Sequence, residues 1–555
     1  MALRKIKINN FKIFENFELE FCAGINILVG DNEVGKSTVL EAIHLTLTGM
    51  INGKYLNTEL TQYLFNNAVV ERYLTSLKTD SPEAPPSIRI ELYFDQFDEI
   101  LKWMGSINTD RDNNAYGLTF EISMTEDANT KAEYEEMLKS GNIKTLAIEY
   151  YDHKWTTFAD ENILSVRSIP IKSAMVDSSL ARYQNGSDIY ISRIVRQSLD
   201  DSDRAKMAQA HRNISGSFAD DPAIKAINCK IQENVLISDK EVSLSVELLS
   251  KNAWESSLMT YVDKVPFHYI GKGEQCVVKT RLALADKKAR NASVILLEEP
   301  ENHLTYARLN QLLDVIASEC EGRQVIVSTH SSFVANKLGL NNLILLSNDG
   351  KQTRFADLED DKKTPDFFKK LSGYDTLRLV LSKNVILVEG SSDELVVQKA
   401  YMKSHNDKLP IHDGIDVISV GTSFLRFLEI ASRLNKRVAV VTDNDGDVSA
   451  LEKKYADYLG DNAKDNILVS FDKNNHEPPE NALPKYNYNT LENLLLSKNG
   501  LTNMNTMLGK KCETEDALRT YMKNNKTDCA LSVFEYCGDV CFPSYIVEAI
   551  NHVNQ

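Results

Sequence analysis

The sequence predicts an α/β protein built from two sheet-and-helix units, the first interrupted by a helical insertion. Three observations predict it. Short, nearly continuous apolar runs end in glycine, carboxylate or histidine, as parallel strands do when both faces of the sheet are covered. A helical period follows most of these runs. Between about residues 170 and 255 the alternation gives way to polar, alanine-rich stretches with a long helical period.

Length and composition set the outer bounds. The chain has 555 residues, 43% hydrophobic and 26% charged, the balance of a globular protein with room for roughly three or four domains. Its net charge of −16 excludes a protein that coats DNA through dense lysine and arginine. Contact with nucleic acid would need a local basic patch or bound cations. The N-terminus, MALRKIKINNFKIF, is basic but has no apolar core for a signal peptide, and no apolar run approaches the ~20 residues of a membrane span. Of the eight cysteines none forms a CxxC pair, so free thiols of a reducing, cytoplasmic compartment are expected.

The elements follow in order. Residues 4–10 and 17–21 alternate and predict a small sheet. Ile25–Val29 predicts a short buried strand, and Thr38–Leu47 an apolar helix. A proline-rich loop, SPEAPP, precedes the alternating strand Ser87–Phe94, and 117–123 and 145–151 look like further strands. Strand-helix alternation resumes over 265–345. Residues 355–380, with the charge run DLEDDKK, predict a polar connection, and a second strand-helix series starts at Val385. The domains expected are 1–169 and 256–378 for the first unit, 170–255 for the insertion and 379–555 for the second unit.

Between strand and helix stands Gly30-Asp31-Asn32-Glu33-Val34-Gly35-Lys36-Ser37, followed by Thr38. This is GxxxxGK[ST] in its required context. Its glycines let backbone N–H groups curl around phosphates, and the helix N-terminus favours the anion. Gly30, Asn32, Gly35, Lys36, Ser37 and Thr38 are the candidate nucleotide contacts, with Lys36 on the β- and γ-phosphates and Ser37 on Mg²⁺.

Three later elements support an ATP site. Val294–Leu297 ends in Glu298-Glu299, then Pro300-Glu301-Asn302-His303-Leu304. Glu298 would hold Mg²⁺ through water, and Glu299 would orient or activate the attacking water. Val325–Thr329 ends in His330, placed to sense a γ-phosphate. Gly271-Lys272-Gly273-Glu274-Gln275 opens a helical run and resembles the ABC signature, which contacts nucleotide held by a second subunit. The order of the four elements resembles the SMC and Rad50-like branch of ABC ATPases. That resemblance implies a head-to-tail ATP sandwich and self-association through the ATPase domains, with a dimerising role suggested for the helical arm. Gln62 is a candidate for that family's Q-loop glutamine.

The second unit concentrates carboxylates. Val385–Val388 ends in Glu389-Gly390, then Ser391-Ser392-Asp393-Glu394. Val438–Val441 leads through Thr442 to Asp443-Asn444-Asp445-Gly446-Asp447. Carboxylates this dense repel one another unless a cation binds, and hard oxygen donors suit Mg²⁺ or Mn²⁺. An EF-hand is excluded, because glycine and glutamate are missing from its sixth and twelfth positions. The EG…D and DxD pattern resembles the Toprim domain.

An ABC ATPase followed by Toprim resembles the OLD (overcoming lysogenisation defect) nucleases, over nearly all the chain except about 170–255. The family carries a glutamate in a TLE-like stretch and a lysine in a KT-like stretch, which Glu492 and Lys526 match. The resemblance implies two-metal phosphodiester cleavage of DNA. Glu389, Asp393, Asp443, Asp445 and Glu492 would hold the metals, Glu389 would also serve as catalytic acid or base, and Lys526 would stabilise negative charge. Antiphage defence is implied, as in retron- or Gabija-associated members, some of which act with a helicase or a reverse transcriptase. Two departures, Glu298 for the usual aspartate and Leu-Thr-Tyr after His303, leave open whether ATP is hydrolysed or only gates. A non-cleaving ATP-dependent clamp or repair sensor is the alternative. A topoisomerase-like strand passer ranks below it for want of a recognisable tyrosine-bearing DNA-binding domain.

Overall fold

The computed structural model describes residues 2–555 except 53, 80, 126, 140–142, 178–182, 185–186, 189–198, 200, 235–258, 286–291, 320–322, 348–351, 356–362 and 479–485. The chain divides into two compact units, Met1–His330 with Asn342–Gln352, and Ser331–Asn341 with Thr353–Gln555.

The first unit opens with the hairpin β1 (Leu3–Phe11) and β2 (Phe14–Glu20), then β3 (Ile25–Val29) and α1 (Lys36–Thr48). There follow β4 (Ile88–Phe94), β5 (Tyr116–Met124), β6 (Tyr151–Thr157) and β7 (Lys172–Asp177). Helices α2 (Asp201–Asp220), α3 (Pro222–Asn234) and α4 (Lys272–Ala285) come next. The unit closes with β8 (Ala292–Glu298), α5 (Tyr306–Glu319), β9 (Gln324–Ser328) and β10 (Leu343–Leu346).

Two sheets result. One is antiparallel in the order β2–β1–β4–β5–β6, and the other has parallel strands in the order β10–β3–β9–β8–β7. Helix α1 is buried on nearly every side, as a helix held between layers must be, and it shares one apolar core with strands of both sheets. The buried Gln324 side chain stitches the unit, bonding both backbone groups of Leu3 and the carbonyl of Cys22. An amide buried this deeply is tolerated because its donors and acceptor are all used.

The second unit comprises α6 (Ser332–Leu338), α7 (Lys363–Lys370), α8 (Thr376–Leu381), β11 (Asn384–Val388), α9 (Ser391–Ser404) and β12 (Ile415–Ser419). It continues with α10 (Phe424–Arg433), β13 (Arg437–Val441), α11 (Val448–Lys454) and β14 (Ile467–Ser470). The helices α12 (Leu491–Met507), α13 (Glu515–Asn524), α14 (Lys526–Glu535) and α15 (Ser544–Val553) complete it. Its sheet is wholly parallel, in the order β12–β11–β13–β14. The path leaves β11 to one side and returns on the other. That puts a topological switch point between β11 and β13, where open α/β sheets bind ligands.

Three expectations need correction. The strand expected over 145–151 begins only at Tyr151 and runs to Thr157, after a 3₁₀ turn at Ile148–Tyr150. Its inward residues include Tyr151 and Trp155, with Trp155 packed on Phe120, so its alternation is carried by amphipathic aromatics. The segment 170–255 is not helical from its start. Residues 172–177 form β7, which extends the parallel sheet beside β8, and the described helices are α2 and α3. The rest of that segment falls largely outside the described residues. The connection 355–380 contains α7 and α8, while most of its DLEDDKK run lies outside the described residues.

Among the described residues no helix is long and apolar enough to cross a membrane. The described cysteines are free thiols, and Cys320 lies outside the described residues.

Candidate functional site

In the first unit, adjacent parallel strands bring three motifs to one sheet edge. The chain leaving β3 forms the glycine loop, that leaving β9 carries His330, and β8 ends in Glu298 with Glu299 just beyond it. The loop turns through positive φ at Glu33 (66°) and Gly35 (95°) before entering α1. A Cβ on Gly35 would stand 2.3 Å from the Phe14 ring, and one on Gly30 2.6 Å from the Leu346 carbonyl oxygen. Gly35→Ala should therefore destabilise this unit by about 1–3 kcal/mol, combining overpacking with left-handed strain. A melting temperature equal to the parent's would contradict this.

Lys36 is buried, and its ammonium donates to the carbonyls of Gly30 (3.0 Å) and Asp31 (2.8 Å). Burial pushes its pKa down, against the charges of Glu299 and Asp31. The lysine thus lies in the electrostatic reach of the β8 acid, although the two are far apart in sequence. Asp31, Asn32, Glu33 and Ser37 are exposed around it, while Thr38 is buried in the helix.

Glu299 adopts φ +42°, donates its N–H to the Ser328 carbonyl at 2.9 Å, and accepts at Oε2 from Asn302 at 2.6 Å. His330 Nε2 stands 3.8 Å from its Oε1. Glu301, not singled out from sequence, fixes the His330 turn: its Oε1 accepts from the Thr329 hydroxyl (2.6 Å) and the His330 N–H (3.0 Å). Gly271 and Glu274 are exposed at the start of α4, whereas a Cβ on Gly273 would lie 2.4 Å from the His303 carbonyl oxygen. Gln275 is turned inward onto the carbonyls of Phe267 and Ile270. Gln62 accepts from the Leu146 N–H at 3.1 Å, so its side chain serves that loop.

In the second unit, Glu389 follows β11 and Asp443-Asn444-Asp445 follows its neighbour β13, on either side of the switch point. Asp393 caps α9, accepting from the Gly390 N–H at 2.9 Å. Asp443 accepts from the Leu491 N–H (2.9 Å) and the Tyr545 hydroxyl (3.4 Å). Asp445 sits at φ +50° and accepts from Asn487 at 3.0 Å. The Asn444 side chain turns away and grips the carbonyls of Asp472 (2.6 Å) and Asn474 (2.9 Å). Asp447 is spent as the cap of α11.

Glu492, in the first turn of α12, pairs at 3.0 Å with Lys526, the first residue of α14. The electrostatics join all of these residues. Burial raises Asp443 to about 8, opposed by its bond from Leu491 and reinforced by Asp393, Glu492 and Asp445. Burial also raises Asp393 to about 6, with Glu492 and Glu389 adding and Lys526 opposing. Burial lowers Lys526, but Glu492, Asp443 and Asp393 outweigh it and hold the ammonium charged.

Among the described residues, no three carboxylate, imidazole or thiol groups stand close enough to share an ion as placed. The donor chemistry still fits a divalent cation. The carboxylates lie within one another's electrostatic reach, and their mutual repulsion is what a cation relieves. Tyr545 and Asn487 were invisible in sequence. Both reach the aspartates from distant segments and belong to no motif.

Comparison with known proteins agrees with this layout. Residues 5–154 match an AAA domain model, and residues 265–336 match an AAA domain described as putative AbiEii toxin, type IV TA system. Residues 380–445 match the TOPRIM domain of overcoming lysogenization defect-like proteins. The nickel import ATP-binding protein LarO of Lactiplantibacillus plantarum is 28% identical over 23% of this chain and 54% of its own length. A RecF DNA replication and repair protein of Lachnoclostridium phytofermentans is 44% identical over 9% of this chain and 13% of its own. The chain thus spans about half the length of the first relative and far less of the second. The SMC head domain of Thermotoga maritima aligns at 13% identity over 62% of this chain and 94% of that one, with a TM-score of 0.28. The chain thus joins segments of AAA ATPase type to a TOPRIM domain of the overcoming lysogenization defect-like kind.

Proposed function

We propose that the chain is an ATP-regulated, divalent-metal-dependent DNA endonuclease serving antiphage defence. One observation carries the reading. Five carboxylates and a lysine from four segments share one electrostatic field at the switch point of a parallel sheet. Glu389, Asp393, Asp443, Asp445 and Glu492 would hold Mg²⁺ or Mn²⁺. Bound metal would supply Lewis-acid stabilisation of the phosphate and a nucleophilic water at neutral pH.

The chain's own groups do the rest. Glu389, exposed at the strand end, moves a proton at the attacking or leaving oxygen. Lys526, kept charged by its carboxylate neighbours, stabilises negative charge on the phosphate. Leu491 and Tyr545 orient Asp443, and Asn487 orients Asp445.

The nucleotide site regulates. Lys36 leaves its loop carbonyls for the β- and γ-phosphates of ATP. Ser37 and, through water, Glu298 would hold the accompanying Mg²⁺, Glu299 would orient the attacking water, and His330 would read the γ-phosphate. Gly271, Gly273 and Glu274 contact nucleotide on a second copy, so the ATPase segments associate with one another, helped by the helical arm. A helicase or reverse transcriptase is the partner class this family role predicts. The short RecF likeness favours one other reading, a non-cleaving ATP-dependent DNA clamp.

The two readings part on one assay. The purified chain is incubated with supercoiled, linear and single-stranded DNA, in Mg²⁺ or Mn²⁺, with and without ATP. Cleavage is expected, and Glu389→Ala should reduce it about 10²–10³-fold. A Glu389→Ala protein that cuts as fast as the parent overturns the site, and binding without any cleavage favours the clamp.

A further inference from the structure

The chain crosses between the two units three times, first between His330 and Ser331. His330 belongs to the first unit and Ser331 to the second. On the first side Glu301 holds both the Thr329 hydroxyl and the His330 N–H. On the second side the chain enters α6 at once, with the Ser331 hydroxyl accepting the Val334 N–H at 3.4 Å. Ser331 is the N-cap of α6, so along the chain the helix begins two residues after His330.

Helix α6 is gripped by a buried polar clamp. Asn336 is 0% exposed. Its amide nitrogen donates to the carbonyls of Ser372 (3.2 Å) and Tyr374 (2.8 Å), and its oxygen accepts from the Thr376 hydroxyl at 2.6 Å. The Ser332 hydroxyl accepts the Leu377 N–H at 3.2 Å. Helix α6 is thereby pinned to the start of α8. From α8, Arg378 forks onto Asp416 of β12 at 2.9 and 2.6 Å and reaches the Val417 carbonyl at 3.2 Å. Strand β12 pairs residue for residue with β11, up to Val388 beside Ser419. The Ser419 hydroxyl (3.1 Å) and the Gly421 N–H (3.0 Å) then both donate to the Glu389 carbonyl.

Displacing a fully used, buried amide leaves unpaired polar groups and is costly. A shift of α6 is therefore passed on to α8 rather than absorbed at the clamp. We propose that Asn336 is a positioning residue that carries the nucleotide state from the His330 turn to Glu389. The proposal rests on the regulatory reading above and specifies its route.

The test uses the full chain with and without a non-hydrolysable ATP analogue. Hydrogen–deuterium exchange is followed at residues 371–378 and 386–394, and analogue affinity is measured alongside. In the parent the analogue should change exchange at 386–394 by at least ~5-fold, the low end of common coupling. In Asn336→Leu the change should fall below ~2-fold while analogue affinity stays within ~2-fold. Thr376→Val and Ser332→Ala each remove one bond and should give intermediate responses, which keeps the test open if Asn336→Leu does not fold. Two results overturn the proposal: no exchange response in the parent, or a full response in the folded variants. Exchange needs no cleavage, so a parent that cuts no DNA would sink the nuclease reading without deciding this one.

Discussion

In EDTA, Asp443→Asn melts at least ~2–4 °C above the parent; in Mg²⁺ or Mn²⁺ it cuts DNA about 10²–10³-fold more slowly. The two effects share one cause. Asp443 is held near a pKa of about 8, against an ordinary 3.8, by burial and then by the charges of Asp393, Glu492 and Asp445. Between those values the folded chain binds more protons at this site than the unfolded chain does. Stability of the metal-free protein therefore falls as pH rises from about 4 towards 8. An asparagine keeps an oxygen for the Leu491 N–H but carries no charge to repel its neighbours. The same missing charge removes a ligand from the metal site. Melting curves in EDTA at pH 5 and pH 8 check the sign. The parent should lose more stability over that interval than the variant, and equal losses would refute the cause.

Lys36→Ala binds ATP about 10–100-fold more weakly, as expected for losing a charge-assisted contact to phosphate, and its DNA cleavage no longer responds to ATP. The ammonium is already buried against its own loop, bonded to Gly30 and Asp31. Phosphate oxygens would replace those carbonyls with full negative charge, so the lysine gains most when nucleotide arrives. Cleavage measured without nucleotide should match the parent, since Lys36 lies in the other unit from Glu389. Equilibrium binding of a fluorescent ATP analogue, alongside cleavage with and without ATP, checks both halves. Parent-like affinity would remove Lys36 from the nucleotide site.

The motifs were legible in sequence where a single stretch of backbone builds the chemistry. The loop Gly30–Ser37, the acids after Leu297 and the DxD after Thr442 each join an apolar strand to polar residues within a few positions. Sequence patterning also placed β3, β8 and β9 of the first parallel sheet and β11 and β13 of the second. It failed at Tyr151–Thr157, whose inward positions include tyrosine and tryptophan, and at Lys172–Asp177, whose lysine, serine and aspartate mask a strand of the sheet. It also missed α7 and α8, where a charge run suggested a plain connection.

By itself, then, the sequence determined the chemical inventory. It showed a phosphate loop with its acids and histidine, a carboxylate set suited to divalent metal, and the order in which they occur. Local backbone geometry and strand periodicity depend on near neighbours, so they can be read along the chain. Only the tertiary structure decided which groups meet. It set Tyr545 against Asp443, 102 positions away, paired Glu492 with Lys526, and placed the helix after His330 in the same unit as Glu389. Such contacts arise from packing between distant elements, and no local period encodes them.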